Sequence, residues 1–243
     1  MRLAREWERR VADGVRWIYR AGARAELDSV LPHLRDRLGP PLAMSRVRRH
    51  RSFHRVASSQ GGLFVKRLAY PRVGLSLWLR IALSRVRGAR EFRNAVRAHA
   101  RGAPVVEPLA FGVAVRSRPG YESLLVYRLL PEGSRTLAEL QFDGLPRERR
   151  AGTLAALAKL TADLHDRGIF HLDLTPMNVV RTGGSDAEPA LLAVDLETIR
   201  LAGFHKRALA ARSLARIDER FAWASDEERA GFLDAYHARS AGP

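Results

Sequence analysis

The sequence predicts an α+β chain of two lobes: a small antiparallel-sheet N-lobe followed by a minimal, mostly helical C-lobe. Three observations predict it. The runs Phe53 to Ala57 and Leu63-Phe64-Val65 flank Ser58-Ser59-Gln60-Gly61-Gly62, which is a hairpin pattern. Leu154, Leu157, Leu160 or Thr161, and Leu164 fall on one face of a helix from Leu154 to Arg167, and Gly168 ends it. A polar loop from His171 to Asn178 follows. Beyond it, the apolar run Ala190-Leu191-Leu192-Ala193-Val194 reads as a strand with Asp195 at its end.

Taken in order, residues 1–40 read as an N-terminal helical extension. Leu3, Trp7, Val11, Val15 and Ile18 recur every three or four positions, with Arg and Glu between them. A second short helix runs from Glu26 to Leu38, and Gly39-Pro40-Pro41 stops it. The Trp7 stripe reads as packing rather than a ligand box. Residues 41–130 form the N-lobe. Ser45 to Arg51 is too basic for a core strand, and Lys66 ends the Leu63 to Val65 run. Leu75 to Val86 is apolar on one face and fits a lead-in helix packed on the small lobe. An interfacial helix on anionic lipid is the alternative. Arg90 to Ala100 is a helix whose only acidic residue, Glu91, lies on the turn that would face Lys66. A strand over 105–115 interrupted at Pro108, a polar loop from Arg116 to Glu122, and a strand from Leu124 to Leu130 complete the lobe. Pro131 to Ser134 connects to the C-lobe, residues 131–243. There Thr136 to Leu140 begins the helical part, and helices over Lys206 to Ile217 and Asp226 to Ala238 close it.

Composition narrows the partners. The 243 residues hold 42 Lys+Arg against 26 Asp+Glu, a formal charge of +16. Such a surface favours a polyanionic neighbour, whether nucleic acid, an acidic membrane or a phosphorylated substrate. It is equally what Arg-rich solvated faces give. Nucleic acid is the weakest of these, because no groove-reading helix motif or aromatic platform is present. Cysteine is absent, which excludes a disulfide framework and thiolate metal ligands. No apolar secretory h-region stands at the N-terminus, and no run reaches the ~18 apolar residues of a spanning helix. The expectation is a cytoplasmic protein, with peripheral contact on the inner membrane as its membrane option.

The chemistry sits in His171-Leu172-Asp173-Leu174-Thr175-Pro176-Met177-Asn178, which matches H-x-D-L-x-x-x-N, the catalytic loop of kinase-fold phosphotransferases. Alone, Asp-Leu-Thr-Pro is also a turn signal. Helix, loop, strand and terminal carboxylate in that order supply the context the motif requires. Phosphoryl transfer needs a carboxylate on the attacking hydroxyl and oxygen ligands for magnesium, and Asp173, Asn178 and Asp195 carry those groups.

With Lys66, Glu91, Asp173, Asn178 and Asp195 in this order, the chain resembles a bilobal protein-kinase-like fold. More narrowly it resembles the lipopolysaccharide kinase family, which phosphorylates Kdo or heptose of the lipopolysaccharide inner core. The narrower resemblance rests on Phe64-Val65-Lys66-Arg67-Leu68, Ala89-Arg90-Glu91-Phe92 and the run Gly102 to Gly112. It rests also on Leu164 to Leu174, Val194-Asp195-Leu196-Glu197, and the ending from Arg212 through Tyr236. It implies that Asp173 is the catalytic residue on the sugar hydroxyl, that Asn178 and Asp195 hold Mg2+, and that Lys66 contacts ATP phosphates while Glu91 fixes Lys66. His171 would brace the loop. The implied partners are ATP and an anionic sugar or glycolipid acceptor.

Departures from the protein-kinase pattern shape the expectation. No G-x-G-x-x-G precedes Lys66, so a Gly-rich cover over the phosphates is not expected, and Arg or backbone groups are candidates for part of that task. Leu172 replaces the Arg that reads an activation-loop phosphate, and no A-P-E follows Asp195. A regulated kinase with a peptide platform is thereby disfavoured. Glu197 stands where a glycine is usual, and the sequence leaves its direction open. Two alternatives stand beside the sugar kinase: a kinase-fold enzyme with another small-molecule or protein acceptor, and a non-catalytic nucleotide-binding pseudokinase.

Overall fold

The computed structural model describes residues 6–42, 50–70, 87–115, 120–141, 144–185, 188–202, 205–221 and 224–240. The helix expected over Leu75 to Val86 lies outside them. The chain divides into two compact units. One holds residues 1–93 and 107–129; the other holds 94–106 and 130–243.

The first unit is a six-stranded antiparallel sheet. Its strands are β1 (Trp7–Ala12), β2 (Val15–Arg20), β3 (Arg51–Val56), β4 (Leu63–Tyr70), β5 (Pro108–Val115) and β6 (Tyr121–Arg128), in spatial order β1-β2-β5-β6-β4-β3. The helical extension expected over residues 1–40 is therefore corrected: residues 7–20 are a hairpin that extends the sheet. Asp13 and Gly14 both have positive φ, 49° and 64°, and Ala12 pairs with Val15. That is the two-residue turn whose twist matches paired strands, and Asp-Gly is a preferred pair for it. Val15, Trp17 and Tyr19 then point inward by strict alternation and are at most 3% exposed.

Helix α1 (Arg24–Val30) and a 3-10 turn at Leu31–His33 follow, in place of one helix to Leu38. Leu27, Val30, Leu31 and Leu34 join Val15, Trp17, Leu63, Val65, Leu109 and Leu124 in one apolar core. Gly112 of β5 makes room for Trp17, since a Cβ there would come within 2.5 Å of the indole. Glu26 is buried in α1. It accepts two bonds from Arg128 Nη1, at 2.8 and 2.7 Å, and one from the Ser58 hydroxyl. A buried carboxylate requires such partners.

Helix α2 (Arg87–Ala100) begins in this unit, and the boundary falls between Arg93 and Asn94. In its first half Phe92 meets Trp7 edge-on at 5.1 Å and stacks on Phe111 at 5.4 Å. These contacts set the rotation of α2, and with it the direction of Glu91.

The second unit is built on α3 (Arg147–Asp166), α4 (Lys206–Arg220) and α5 (Asp226–Ser240). Two small sheets accompany them. One is ordered β10-β9-β7, from β7 (Arg135–Thr136), β9 (Val179–Gly184) and β10 (Pro189–Ala193); the other pairs β8 (Ile169–His171) with β11 (Ile199–Leu201). The stretch expected to start the helical part at Thr136 is instead β7 and a series of turns. Leu154, Leu157, Leu160, Thr161 and Leu164 form the buried face of α3. Gly168 ends that helix with φ 66°, a conformation glycine adopts without a Cβ penalty.

Candidate functional site

The predicted residues fall into two sets, one in each unit. Lys66 and Glu91 belong to the first. Lys66 lies mid-strand in β4, opposite Phe53 on one side and Leu125 on the other, rather than at a strand end. Its Nζ donates to Glu91 Oε2 at 2.6 Å, and both side chains are at most 4% exposed. Tyr127 Oη donates to Glu91 Oε1 at 3.1 Å. A hydrogen-bonded pair this deep fixes the ammonium in one place.

Asp173, Asn178 and Asp195 belong to the second unit, and backbone bonds bring their segments together. Pro176 to Asn178 is one 3-10 turn. It presents the Asn178 Nδ2, which donates to the Asp173 carbonyl at 2.7 Å. The Val194 N–H donates to the Asn178 carbonyl at 2.9 Å, tying the segment before Asp195 to the same turn. Neither Asp173 nor Asn178 is buried, and the Asp173 side chain is 43% exposed.

Asp195 leaves β10 in the left-handed region, φ 54° and ψ 61°. Few residues other than Gly tolerate this, Asp and Asn among them, and such strain gathers at functional sites. The turn redirects the chain into the 3-10 segment Leu196–Thr198 and brings Glu197 round. Carboxylate oxygens of Asp195 and Glu197 lie within 4.8 Å of each other. The direction of Glu197, open in the sequence, is thus toward Asp195.

His171 is buried. Its Nε2 faces the Val194 carbonyl at 3.2 Å, and its Nδ1 accepts the Asp173 N–H at 3.2 Å. The pattern requires a neutral ring protonated at Nε2. Burial pushes its pKa below the ordinary histidine value, against the Val194 carbonyl and the nearby carboxylates, which pull the other way. His171 therefore braces the loop as a neutral ring bonded to the backbone on both sides.

Three residues that sequence reasoning missed also meet these loops within the second unit. Asn94 Nδ2 donates to the Leu196 carbonyl at 2.8 Å, Ser213 Oγ donates to the His171 carbonyl at 3.0 Å, and Arg220 Nη2 lies 3.6 Å from Asp173 Oδ1. No local signal marks them. Each acts on a loop far away in the chain.

The oxygen donors of Asn178, Asp195 and Glu197 are of the kind that could hold a hard divalent cation such as Mg2+. With its Nδ2 committed to Asp173, the Asn178 carboxamide keeps its oxygen for a cation, and the carboxylates of Asp195 and Glu197 add the hard oxygen ligands that Mg2+ takes. The profile of the lipopolysaccharide kinase (Kdo/WaaP) family matches residues 47–236. No curated protein matches the chain. Among solved structures, WaaP in complex with acyl carrier protein is similar over 90% of this chain and 86% of that one, at TM-score 0.58 and 17% identity, a likeness of fold. The BubR1 kinase domain is more distant, with TM-score 0.46 and 12% identity over 80% and 50% of the two chains. The fold is the α+β fold of kinases. Matched by that family over well more than half its length, the chain belongs to the lipopolysaccharide kinase (Kdo/WaaP) family and is an ATP-dependent phosphotransferase with an alcohol group as acceptor.

Proposed function

We propose that this protein transfers the γ-phosphoryl group of ATP to a hydroxyl of Kdo or heptose in the lipopolysaccharide inner core. Asp173 accepts the proton of that hydroxyl as its oxygen attacks phosphorus. Lys66 holds ATP phosphate oxygens, and Glu91 keeps the Lys66 ammonium in place. Asn178 and Asp195, with Glu197 beside it, hold Mg2+, which when bound neutralises charge on the phosphate oxygens. Positioning does most of the work if the transition state is loose, so Asp173 needs no unusual basicity.

The observation that carries this reading is the Asn178 to Asp173 bond at 2.7 Å. It joins the backbone of the proposed base to a proposed metal ligand within one turn, and neither residue is buried. A cytoplasmic place with peripheral contact on the anionic inner membrane fits the charge of +16. Among the described residues no helix is long and apolar enough to cross a membrane.

The test is phosphoryl transfer from labelled ATP to purified inner-core acceptors. Asp173→Asn should lower kcat by about 10²–10⁴-fold, the usual range for a lost general base, while ATP binding measured by calorimetry is retained. An unchanged rate removes Asp173 from its role. Failure of the wild-type protein to phosphorylate any core acceptor, with ATP bound, removes the acceptor assignment.

A further inference from the structure

We propose that Arg220 determines acceptor specificity: its guanidinium binds a carboxylate or phosphate carried by the sugar whose hydroxyl meets Asp173. This rests on the role of Asp173 given above. Helix α4 is tied to the start of the loop by Ser213, which donates to the His171 carbonyl at 3.0 Å, and Ile217, one turn on, is buried at 3% exposure. Arg220 continues the same helical stripe at the next turn. Phe221 follows it, also 3% exposed, and its N–H bonds to the carbonyls of Ile217 and Asp218. The backbone is therefore pinned on both sides of Arg220, at the helix C-terminus, where a cation is favoured. The base of the side chain is fixed and its head is not enclosed.

The Arg220 side chain is 50% exposed, and its Nη2 stands 3.6 Å from Oδ1 of Asp173, whose side chain is 43% exposed. The separation is too long for a hydrogen bond, and an exposed ion pair of this kind adds little to stability. Packing alone does not call for a guanidinium here. No hydrogen bond to a described residue engages it, which leaves its N–H donors beside Asp173 available to a ligand.

Charge makes the case specific. An anionic acceptor meets repulsion from Asp173 and from the triphosphate, and a cation beside Asp173 offsets it. A carboxylate or phosphate matches the fork with two parallel hydrogen bonds; a neutral hydroxyl gains little over water. Kdo, an ulosonic acid, carries its own carboxylate. Heptose is neutral until phosphorylated. The position of Arg220 therefore favours Kdo or an already phosphorylated heptose over plain heptose.

Two acceptor pairs test this with the full chain: a Kdo acceptor against its carboxyl-reduced counterpart, and a phosphorylated heptose against the neutral one. The wild-type protein should prefer the charged member of at least one pair by about 10- to 100-fold in kcat/KM, the range for charge-assisted hydrogen bonds. The pair with the larger ratio identifies the anion. Arg220→Gln should collapse that ratio toward one by raising KM for the charged acceptor, with KM for ATP unmoved, and Arg220→Lys should keep part of it. A wild-type protein indifferent to acceptor charge overturns the proposal without any variant. So does an Arg220→Gln protein that keeps the wild-type ratio. Should the wild-type protein phosphorylate neither pair, the acceptor assignment falls and this inference falls with it.

Discussion

At the scale of single residues, a deeply buried ion pair of the sheet unit is also the one the proposed chemistry uses. Lys66 and Glu91 are bonded at 2.6 Å with almost no exposure. Removing one partner strands the other in a low-dielectric interior. Glu91→Ala should cost about 3–5 kcal/mol in urea unfolding, and the doubly apolar Lys66→Met, Glu91→Met protein should lose less. A Glu91→Ala protein as stable as wild type would mean that the ammonium escapes to water. The loop residues His171, Asp173 and Asn178 were readable because their spacing is local and each contact spans five residues or fewer within the turn. Asn94, Ser213 and Arg220 were not. Asn94 meets Leu196 across a separation of 102 residues and Ser213 meets His171 across 42, pairings that exist only once the chain has folded.

At the scale of elements, the first twenty residues carry two periods at once. Leu3, Trp7, Val11, Val15 and Ile18 fit a helix, while Val15, Trp17 and Tyr19 fit a strand. Such a short apolar run is ambiguous by period alone. Asp13-Gly14 decides for the strand, because its two positive φ angles make a tight hairpin and end any helix. Elsewhere the long helix α3 and the hairpin β3–β4 were legible, since each shows one period and one clear stop. The slot for Trp17 in β5 was not, because Gly112 looks like any glycine until the indole lies over it. Gly112→Ala should force the ring to move, cost about 1–3 kcal/mol and lower the melting temperature by about 2–10 °C. An unchanged melting curve would show that the sheet yields without loss.

At the scale of the molecule, the second unit carries a built-in acid sensitivity. His165 Nδ1 lies 2.9 Å from Tyr236 Oη, joining α3 to α5, and its ring packs on Phe170 at 4.8 Å. Burial lowers its pKa to about 4 from an ordinary 6.5. The folded protein therefore keeps the ring neutral between those values while the unfolded chain takes up a proton. Stability from this residue is complete above about pH 6.5 and declines as pH falls toward 4, by up to about 3 kcal/mol. His171, shifted the same way, adds in the same direction. Urea unfolding at pH 7 and pH 4.5 should show a smaller acid loss for His165→Gln than for wild type. Equal losses would assign the acid effect to other groups, such as general repulsion at a charge of +16.

The opening hairpin bears also on how copies of this protein treat one another. β5 spends its outer row of backbone groups on β2, and β1 closes the sheet on that side. The rim offered to a stranger is then β1, where Arg9, Arg10 and Val11 face water and Arg10 pairs with Asp28, instead of the margin that Leu109 to Ala114 would make. Charged side chains on an outermost strand are one means by which a sheet discourages a second copy from adding its own strands.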